Sequence, residues 1–370
     1  MSCKLVTYHT SISTGIGGIE NLYRSFFDIS LESGYEHVEL FHRISGTQIA
    51  ERENNKKYIQ LLEVKTFFSK FNSLFLKMTL AFKLFTMRMG SKDIFVVNNP
   101  SNLIFIPSFI LKRTNVVLIQ ANNIDTVYST FFSKLSIKLK GKFVDIFTVY
   151  TPQDMNKLLK RVSIPDYKVK IIPRACKIKT ALFPRDESNG KKLITVCRIE
   201  EKQKNIATMV KIVNSLPQGY TLDIYGEGCH KEIEKLKELI SDCPRIRYLG
   251  PSHDVELTLK NYSVFLMTSH YEGFGQTLIE ARSQGVPVVV FNTFEAAEYI
   301  VKSGINGGLI EPFNIDKYCD CIVEICENDS LYRRYSEASL ELAKQTDSSV
   351  VFRLWVELFK SFDSNEVSNY

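Results

Sequence analysis

Short apolar runs alternate with longer segments of helical periodicity along the whole chain of 370 residues. Runs of three to five apolar residues without polar alternation are typical of strands that are buried on both faces, as in parallel sheets covered by helices. Such strands are predicted at 5–8, 38–41, 94–97, 116–119, 146–150 and 169–172, and again at 193–196, 222–225, 246–249, 264–267, 286–290 and 308–310.

The alternation of strands and helices occurs twice, and the chain length suits two domains rather than one. Two doubly wound α/β domains are therefore predicted. A polar, turn-rich stretch at 177–191 is the predicted linker, and a final amphipathic helix at 348–362 carries the single tryptophan, Trp355. The predicted domains are 1–180 and 181–345, followed by a C-terminal segment at 346–370.

One segment of the second half carries candidate chemistry. Residues 269–285 read Ser-His-Tyr-Glu-Gly-Phe-Gly-Gln-Thr-Leu-Ile-Glu-Ala-Arg-Ser-Gln-Gly, so Glu272 and Glu280 bracket a glycine-rich turn and the first turns of a predicted helix. Glycine lets a backbone approach a ligand closely, and a helix start offers unpaired N–H groups to an anion. The segment predicts a diphosphate cradle with an acid on each side.

This string resembles the E-x7-E signature of retaining glycosyltransferases of the GT4 group, whose fold is GT-B. The resemblance implies two Rossmann-like domains facing a central cleft, with a C-terminal helix that crosses back to the first domain. It also implies that Glu280 binds the ribose hydroxyls of a sugar nucleotide and that Glu272 contacts the transferred sugar. The residues implied to meet the diphosphate are Gly273, Phe274, Gly275, Gln276 and Thr277.

Cations after the strand at 193–196 fit the same resemblance. The family carries an arginine and a lysine here that neutralise the nucleotide diphosphate, which implies Arg198 and either Lys202 or Lys204. Lys204 is favoured because Asn205 then begins the next helix as in the family. Gly226 and Gly228 follow another strand and are implied on the nucleotide side, although tight turns would equally explain these two glycines.

The resemblance is weaker in the first half. A glycine loop containing Gly17 and Gly18 follows the first strand and is implied on the acceptor side, although a strand-to-helix turn would also use glycine. Where the family often has a histidine near the transferred sugar, this chain has Asn122, which would offer a neutral hydrogen bond. Asp154 is interpreted as a helix-start acid.

The charge distribution is asymmetric. Residues 1–180 contain 26 Lys and Arg against 13 Asp and Glu, whereas the remainder contains 21 against 28. A basic half predicts an anionic partner, such as a membrane surface or a phosphorylated acceptor. The segment 67–92 has no acid and an apolar stripe, and Lys134, Lys138, Lys140 and Lys142 form a second basic run. An anionic membrane surface and a core-facing stripe with a solvated edge are both compatible with this pattern.

Other functional classes lack support in the sequence. No Walker loop, HExxH string or Asp-x-Asp motif occurs, and no nucleic-acid-binding motif accompanies the basic half. The eight cysteines form no CxxC pair, which indicates reduced thiols in a cytosolic protein rather than disulfides or a metal site. The short apolar run after Lys4 indicates a first strand rather than a signal peptide. A cytoplasmic protein is predicted, with a peripheral position on the inner face of the cell membrane as the alternative.

The resemblance to this family implies a metal-independent retaining hexosyltransferase that needs no cofactor. It would move a hexose from a UDP-sugar to a hydroxyl of a glycan, a lipid-linked precursor or an anionic cell-surface polymer. A non-catalytic GT-B subunit that binds a glycan or another transferase is the main alternative, and nucleotide binding distinguishes the two. An epimerase or phosphorylase is a third possibility, and a requirement for an acceptor hydroxyl would exclude the epimerase.

Overall fold

The chain folds into two compact α/β units. The computed structural model describes residues 3–9, 18–44, 57–64, 72–120, 122–188 and 190–363. One unit is Met1–Ile172 together with Phe352–Tyr370, and the other is Pro173–Val351. Every sheet pairing between named strands is parallel, with helices in the connections. The predicted class of two doubly wound Rossmann-like domains is thus confirmed.

The first unit contains a seven-stranded sheet in the order β3-β2-β1-β4-β5-β6-β7. Its strands are β1 Lys4–His9, β2 Glu36–Ile44, β3 Lys57–Val64, β4 Ile94–Val97, β5 Asn115–Ile119, β6 Ile146–Val149 and β7 Val169–Ile171. Its helices are α1 Gly18–Ser33, α2 Asn72–Thr86, α3 Ser108–Leu111, α4 Ile124–Ser129, α5 Phe131–Lys140 and α6 Pro152–Arg161, with 3-10 turns at Pro100–Phe105, Gly141–Phe143 and Asp166–Lys168.

The sequence analysis missed the edge strand β3. Its sequence, Lys-Tyr-Ile-Gln-Leu-Leu-Glu-Val, interrupts the apolar residues with polar ones, unlike the continuous runs of the central strands. An edge strand has only one neighbour and needs no such run. β3 pairs with β2 with a register shift between Phe41 and His42.

The C-terminal helix belongs largely to the first unit. Helix α15, Ser348–Ser361, places Trp355 and Phe359 against Phe26 of α1, with ring centroids 4.9 and 5.6 Å apart. The hydroxyl of Tyr35 donates to the carbonyl of Phe359 at 3.3 Å. All four aromatic side chains are buried. The apolar face of this helix is therefore part of the first core.

The second unit contains a six-stranded sheet in the order β10-β9-β8-β11-β12-β13. Its strands are β8 Lys192–Val196, β9 Thr221–Tyr225, β10 Ile246–Tyr248, β11 Val264–Met267, β12 Val288–Phe291 and β13 Gly307–Ile310. Its helices are α7 Glu201–Lys204, α8 Ile206–Ser215, α9 His230–Ile240, α10 Val255–Leu259, α11 Gln276–Ser283, α12 Glu295–Ile300, α13 Ile315–Glu327 and α14 Asp329–Ala343, and a 3-10 turn lies at Lys344–Thr346.

A buried tyrosine fixes the end of β11 in this sheet. The hydroxyl of Tyr318, on α13, accepts from the Met267 amide at 3.1 Å and donates to the carbonyl of Val289 in β12. Tyr318 is fully buried, so these bonds are shielded from water. They hold the carboxyl end of β11, from which the Glu272 loop starts.

The apolar stripe of segment 67–92 is exposed at Met78, Phe82 and Phe85, whereas Met89 at its end is buried. Residues 65–71 lie outside the described part of the chain. On α2, Leu80 and Leu84 are buried, whereas Phe82 is 76% and Phe85 70% exposed. The interpretation as a core-facing stripe is therefore wrong for the described part of α2. Within the described residues, no helix is long and apolar enough to span a bilayer.

Candidate functional site

The glycine-rich segment forms a strand–loop–helix unit in the second sheet. After β11 the loop runs to Gly275, whose φ of 96° lies in the left-handed region that favours glycine, and α11 starts at Gln276. No side chain caps this helix start among the described residues. The first amides of a helix have no partner within the helix, so those of Gln276 and Thr277 are available to a ligand.

Glu272 is held in this loop by three side chains. Lys204 Nζ lies 2.5 Å from Glu272 Oε1, and the Ser269 hydroxyl donates to the same oxygen at 2.8 Å. Gln203 Nε2 lies 3.5 Å from the other carboxylate oxygen. The side chains of Lys204 and Glu272 are only 13% and 10% exposed, so water screens this ion pair little. The pair places a cation and a carboxylate together beside the glycine turn.

A set of local hydrogen bonds brings Lys204 to this position. Short helix α7 ends at Lys204 and is followed by Asn205, whose φ of 52° is left-handed. The side-chain nitrogen Nδ2 of Asn205 donates to the Thr268 carbonyl at 3.2 Å. The Thr268 hydroxyl donates to the carbonyls of Lys204 and Asn205 at 3.1 and 2.9 Å. The loops after β8 and β11, which are neighbours in the sheet, are thus joined. The sequence analysis did not identify Thr268 or Ser269 as supporting residues.

The other two predicted cations lie in more open positions. Arg198 follows β8 with a side chain that is 70% exposed and whose guanidinium lies 3.7 Å from Glu200. Lys202 is exposed and makes no ion pair in the described ranges. Of the two candidate lysines, only Lys204 contacts Glu272. Which lysine meets a phosphate stays a prediction, and this contact favours Lys204.

Glu280 is a buried acid with little hydrogen bonding. It is 5% exposed, and it accepts a hydrogen bond from Gln276 Nε2 at 3.4 Å. Burial raises the pKa of Glu280 above its usual range, and the opposing effects of Lys177 and Gln276 are smaller. A buried carboxylate gains from further donors, because desolvation without compensating bonds is costly. A vicinal diol would supply two such donors.

Close packing explains two of the predicted glycines. A Cβ on Gly226 would lie 1.7 Å from the carbonyl oxygen of Cys197, and one on Gly228 would lie 2.6 Å from that of Ile199. The loops after β8 and β9 therefore touch through backbone. Phe274, also predicted on the donor side, is buried with its ring 6.2 Å from that of Tyr299. Its side chain belongs to the core, and only its backbone is available to a ligand.

The predicted acceptor-side residues lie in the first unit. Gly17 is outside the described residues, and Gly18 is the first residue of α1. Asn122 follows β5 and is exposed, and its side-chain oxygen accepts from the Asn123 amide at 2.8 Å. Asp154, on the first turn of α6, is buried and accepts from Gln120 at 3.0 Å and from Thr151 at 2.8 Å. Its contacts are those of a helix-start acid.

Metal ligation has no candidate grouping within the described ranges. No cluster of three or more His, Cys, Asp or Glu side chains with suitable spacing is found there. All eight cysteines are free thiols, and burial raises the pKa of the Cys319 thiol to about 11. Cys319, Cys321 and Cys326 lie on α13, whose buried face packs in the core of the second unit. These thiols are best explained as packing residues.

Comparison with known proteins assigns this unit to a family. The family described as glycosyl transferases group 1 matches residues 180–341. Residues 180–341 are thus similar to the group 1 glycosyl transferases. This span includes Arg198, Lys204, Glu272 and Glu280, so all four predicted donor-site side chains lie inside the matched domain.

Similar proteins extend the comparison. The poly(glycerol-phosphate) alpha-glucosyltransferase of Bacillus subtilis is 30% identical over 239 residues, which cover 59% of this chain and 34% of that protein. This chain thus spans about a third of the length of that relative. Anabaena Alr3699/HepE in complex with UDP superposes with a TM-score of 0.74 at 17% identity, covering 97% of this chain and all of the other. S. aureus TarM, in a complex with fondaparinux, alpha-GlcNAc-glycerol and UDP, has a TM-score of 0.63 at 21% identity over 76% of this chain and 58% of the other. These structures confirm the GT-B fold.

Proposed function

We propose that the protein is a retaining, GT4-like glycosyltransferase that transfers a hexose from a UDP-sugar to a hydroxyl of a glycan or polymer. Support comes from the group 1 domain at residues 180–341 and from relatives of that kind, such as the B. subtilis glucosyltransferase. The UDP in the Anabaena and S. aureus structures of the same fold supports a uridine nucleotide as the donor.

The observation that carries the proposal is the ion pair of Lys204 and Glu272 beside an uncapped helix start. The backbone amides of Gln276 and Thr277 would bind the diphosphate. The Lys204 ammonium would leave its ion pair with Glu272 and bind a phosphate oxygen instead. These donors are in place before the reaction, so they stabilise the charge that develops on the leaving phosphate. Arg198, exposed after β8, would supply a second cation.

The two carboxylates take different roles in this proposal. Glu280, buried with one long hydrogen bond, would accept hydrogen bonds from the ribose diol. Glu272, released from Lys204, would bind hydroxyls of the transferred sugar and orient its anomeric carbon. Retention would follow if the departing phosphate takes the acceptor proton on the face that it leaves. The reaction then requires neither a covalent intermediate on a carboxylate nor a metal ion.

The alternative of a non-catalytic subunit finds less support. A subunit that only binds a partner has no need for a buried ion pair beside an open helix start.

We further propose that the protein is cytoplasmic and acts at the inner face of the membrane on a lipid-linked or cell-surface precursor. The excess of basic residues in the first half supports an anionic surface or polymer as its partner.

Replacing Glu272 by Gln tests the catalytic role. Sugar transfer should fall by about 100-fold or more, because the neutral amide no longer orients the sugar. UDP affinity should stay equal or rise, because Lys204 no longer has a carboxylate partner. The measurement is UDP release from a panel of UDP-sugars with poly(glycerol phosphate) or a glycan as acceptor, beside calorimetry with UDP. Lys211→Gln, which alters an exposed lysine of α8, is the control. Full transfer by Glu272→Gln would refute the assigned role.

A further inference from the structure

A basic cavity lies in the first unit at the amino ends of the strands, whereas Asn122 lies at their carboxyl ends. It has a volume of about 700 Å3 and is formed by α5, the turn Gly141–Phe143 and the loop that joins α6 to β7. These segments lie at the amino ends of β6 and β7, whereas Asn122 follows the carboxyl end of β5. No residue that lines the cavity is acidic, and five are cationic: Lys134, Lys138, Lys142, Arg161 and Lys168.

Three of these five cations are free to meet an anion. In the described ranges, Lys134, Lys138 and Lys142 form no ion pair, and all three are exposed. Arg161 already pairs with Asp125, and Lys168 donates to the carbonyl of Val144 at 2.9 Å. Unpaired lysines around one concavity raise the local potential and favour a phosphate group there.

Helix α5 also exposes large apolar side chains. Phe131 is 73% exposed, one helical turn before Lys134, and it therefore extends the cavity-facing side of α5. Phe132 and Leu139, seven residues apart, are exposed on the opposite flank of the helix. Helix α5 therefore presents lysines and large apolar residues together to solvent.

A second concavity of the first unit, an apolar cleft, also borders α5. It has a volume of about 410 Å3 and is lined by Phe82 and Phe85 of α2, by residues 104–107 and by Lys140 of α5. The rings of Phe85 and Phe109 lie 5.1 Å apart, and both are exposed. Lys140 Nζ donates to the carbonyls of Ile104 and Ile106, so it anchors α5 to the wall of the cleft.

We propose that this face of the first unit, comprising the basic cavity and the apolar cleft, binds an anionic phospholipid bilayer. A lipid phosphate would occupy the cavity, while Phe82, Phe85 and Phe131 would insert at the level of the headgroups. Clustered lysines match a negative headgroup surface, and neighbouring aromatic residues match the boundary of the acyl chains. A soluble phosphate polymer would match the lysines alone. This inference gives the proposed membrane location a defined surface, and it does not depend on the donor site.

Vesicle sedimentation with the full chain tests the inference. The wild type should bind vesicles of phosphatidylcholine containing phosphatidylglycerol and should leave vesicles of phosphatidylcholine alone. The double variant Lys134→Glu/Lys138→Glu should bind the anionic vesicles about thirtyfold more weakly or worse. Lys211→Glu/Lys231→Glu makes the same charge change on exposed lysines of the second unit and should bind as the wild type does.

The apolar component has its own variant. Phe82→Ser/Phe131→Ser should weaken vesicle binding by about tenfold or more without altering the charge, because two exposed rings no longer insert. Both replaced side chains are exposed, so the fold should persist, and unchanged UDP binding would verify that the second unit is intact. If the wild type did not bind UDP at all, the proposed donor site would be refuted, but the vesicle result would still stand.

Three results would overturn the inference. One is equal binding to neutral and anionic vesicles. Another is an equal loss of binding in the control pair of the second unit. The third is a wild type that ignores vesicles but binds soluble poly(glycerol phosphate) in a manner that depends on Lys134 and Lys138, which would identify the cavity as a polymer site.

Discussion

Glu280 combines burial with a weak set of hydrogen bonds. Burial raises its pKa in the folded protein, so the folded state binds a proton more tightly than the unfolded chain does. Glu280 therefore contributes most to the free energy of unfolding at pH values below the pKa that it has in the unfolded chain. This contribution falls as the pH rises from there through the pKa of Glu280 in the folded protein, and at higher pH the buried charge opposes folding. The free-energy cost of a buried, poorly hydrogen-bonded carboxylate is expected at a position where a ligand supplies the missing hydrogen-bond donors.

Replacing Glu280 by Gln measures what the buried charge costs in stability, separately from its proposed role in binding the ribose. At pH 7 the variant should melt at a higher temperature than the wild type, because the amide carries no buried charge. The two melting temperatures should converge as the pH falls towards about 4, where the wild-type carboxyl is neutral. Differential scanning calorimetry between pH 4 and 8 measures this, with Glu298→Gln on α12 as the control. A melting temperature at pH 7 below that of the wild type would contradict the assigned cost.

At the scale of elements, the central strands could be predicted and the edges could not. The strands β11 and β12 are continuous apolar runs because both faces of the sheet are covered. Strand β3 has neighbours on one side and a mixed sequence, so its pattern was missed. On α2, periodicity identified residues that share a face, but it could not tell which face meets the core. The outward position of Phe82 and Phe85 emerged only from the fold.

The candidate site was predicted in type but not in detail. Glu272 and Glu280 could be found because they lie within one recognisable string, and Arg198 because it follows a clear apolar strand at the position where the family carries an arginine. The family pattern already favoured Lys204 over Lys202, but the bonds of Asn205 and Thr268 that hold Lys204 beside Glu272 are contacts between separate loops. Sequence spacing does not encode such contacts between distant segments. Similarly, Gly226 looked like a turn residue, and its close approach to Cys197 is a property of the sheet.

Gly226 should be among the least replaceable residues of the second unit. In Gly226→Ala, the methyl group would overlap the Cys197 carbonyl, so the loops after β8 and β9 must separate. We expect the free energy of unfolding to fall by about 3 kcal/mol or more. Gly304→Ala is the matched control, because Gly304 also has a positive φ but open space around it, and it should cost about 1–2 kcal/mol. Urea denaturation measures both, and equal losses would contradict the packing argument.

At the scale of the whole molecule, the two units carry different chemistry. The second unit holds the group 1 domain with its cations, its acids and the open helix start. The first unit carries the excess of positive charge, the basic cavity and the exposed aromatic residues. We accordingly propose that the second unit recognises the donor and that the first attaches to an anionic surface. This division lets variants of one unit serve as controls for the other.

The most direct test of the account is calorimetric titration of UDP, in the presence of EDTA, into the wild type, Arg198→Ala, Lys204→Ala and Glu280→Gln. The wild type should bind UDP without a metal, and each variant should bind at least about tenfold more weakly, because each has lost a charge-assisted contact to the nucleotide. Binding by the wild type that all three variants retain unchanged would place the nucleotide elsewhere. A wild type that binds no UDP would contradict the donor site and favour a non-catalytic subunit.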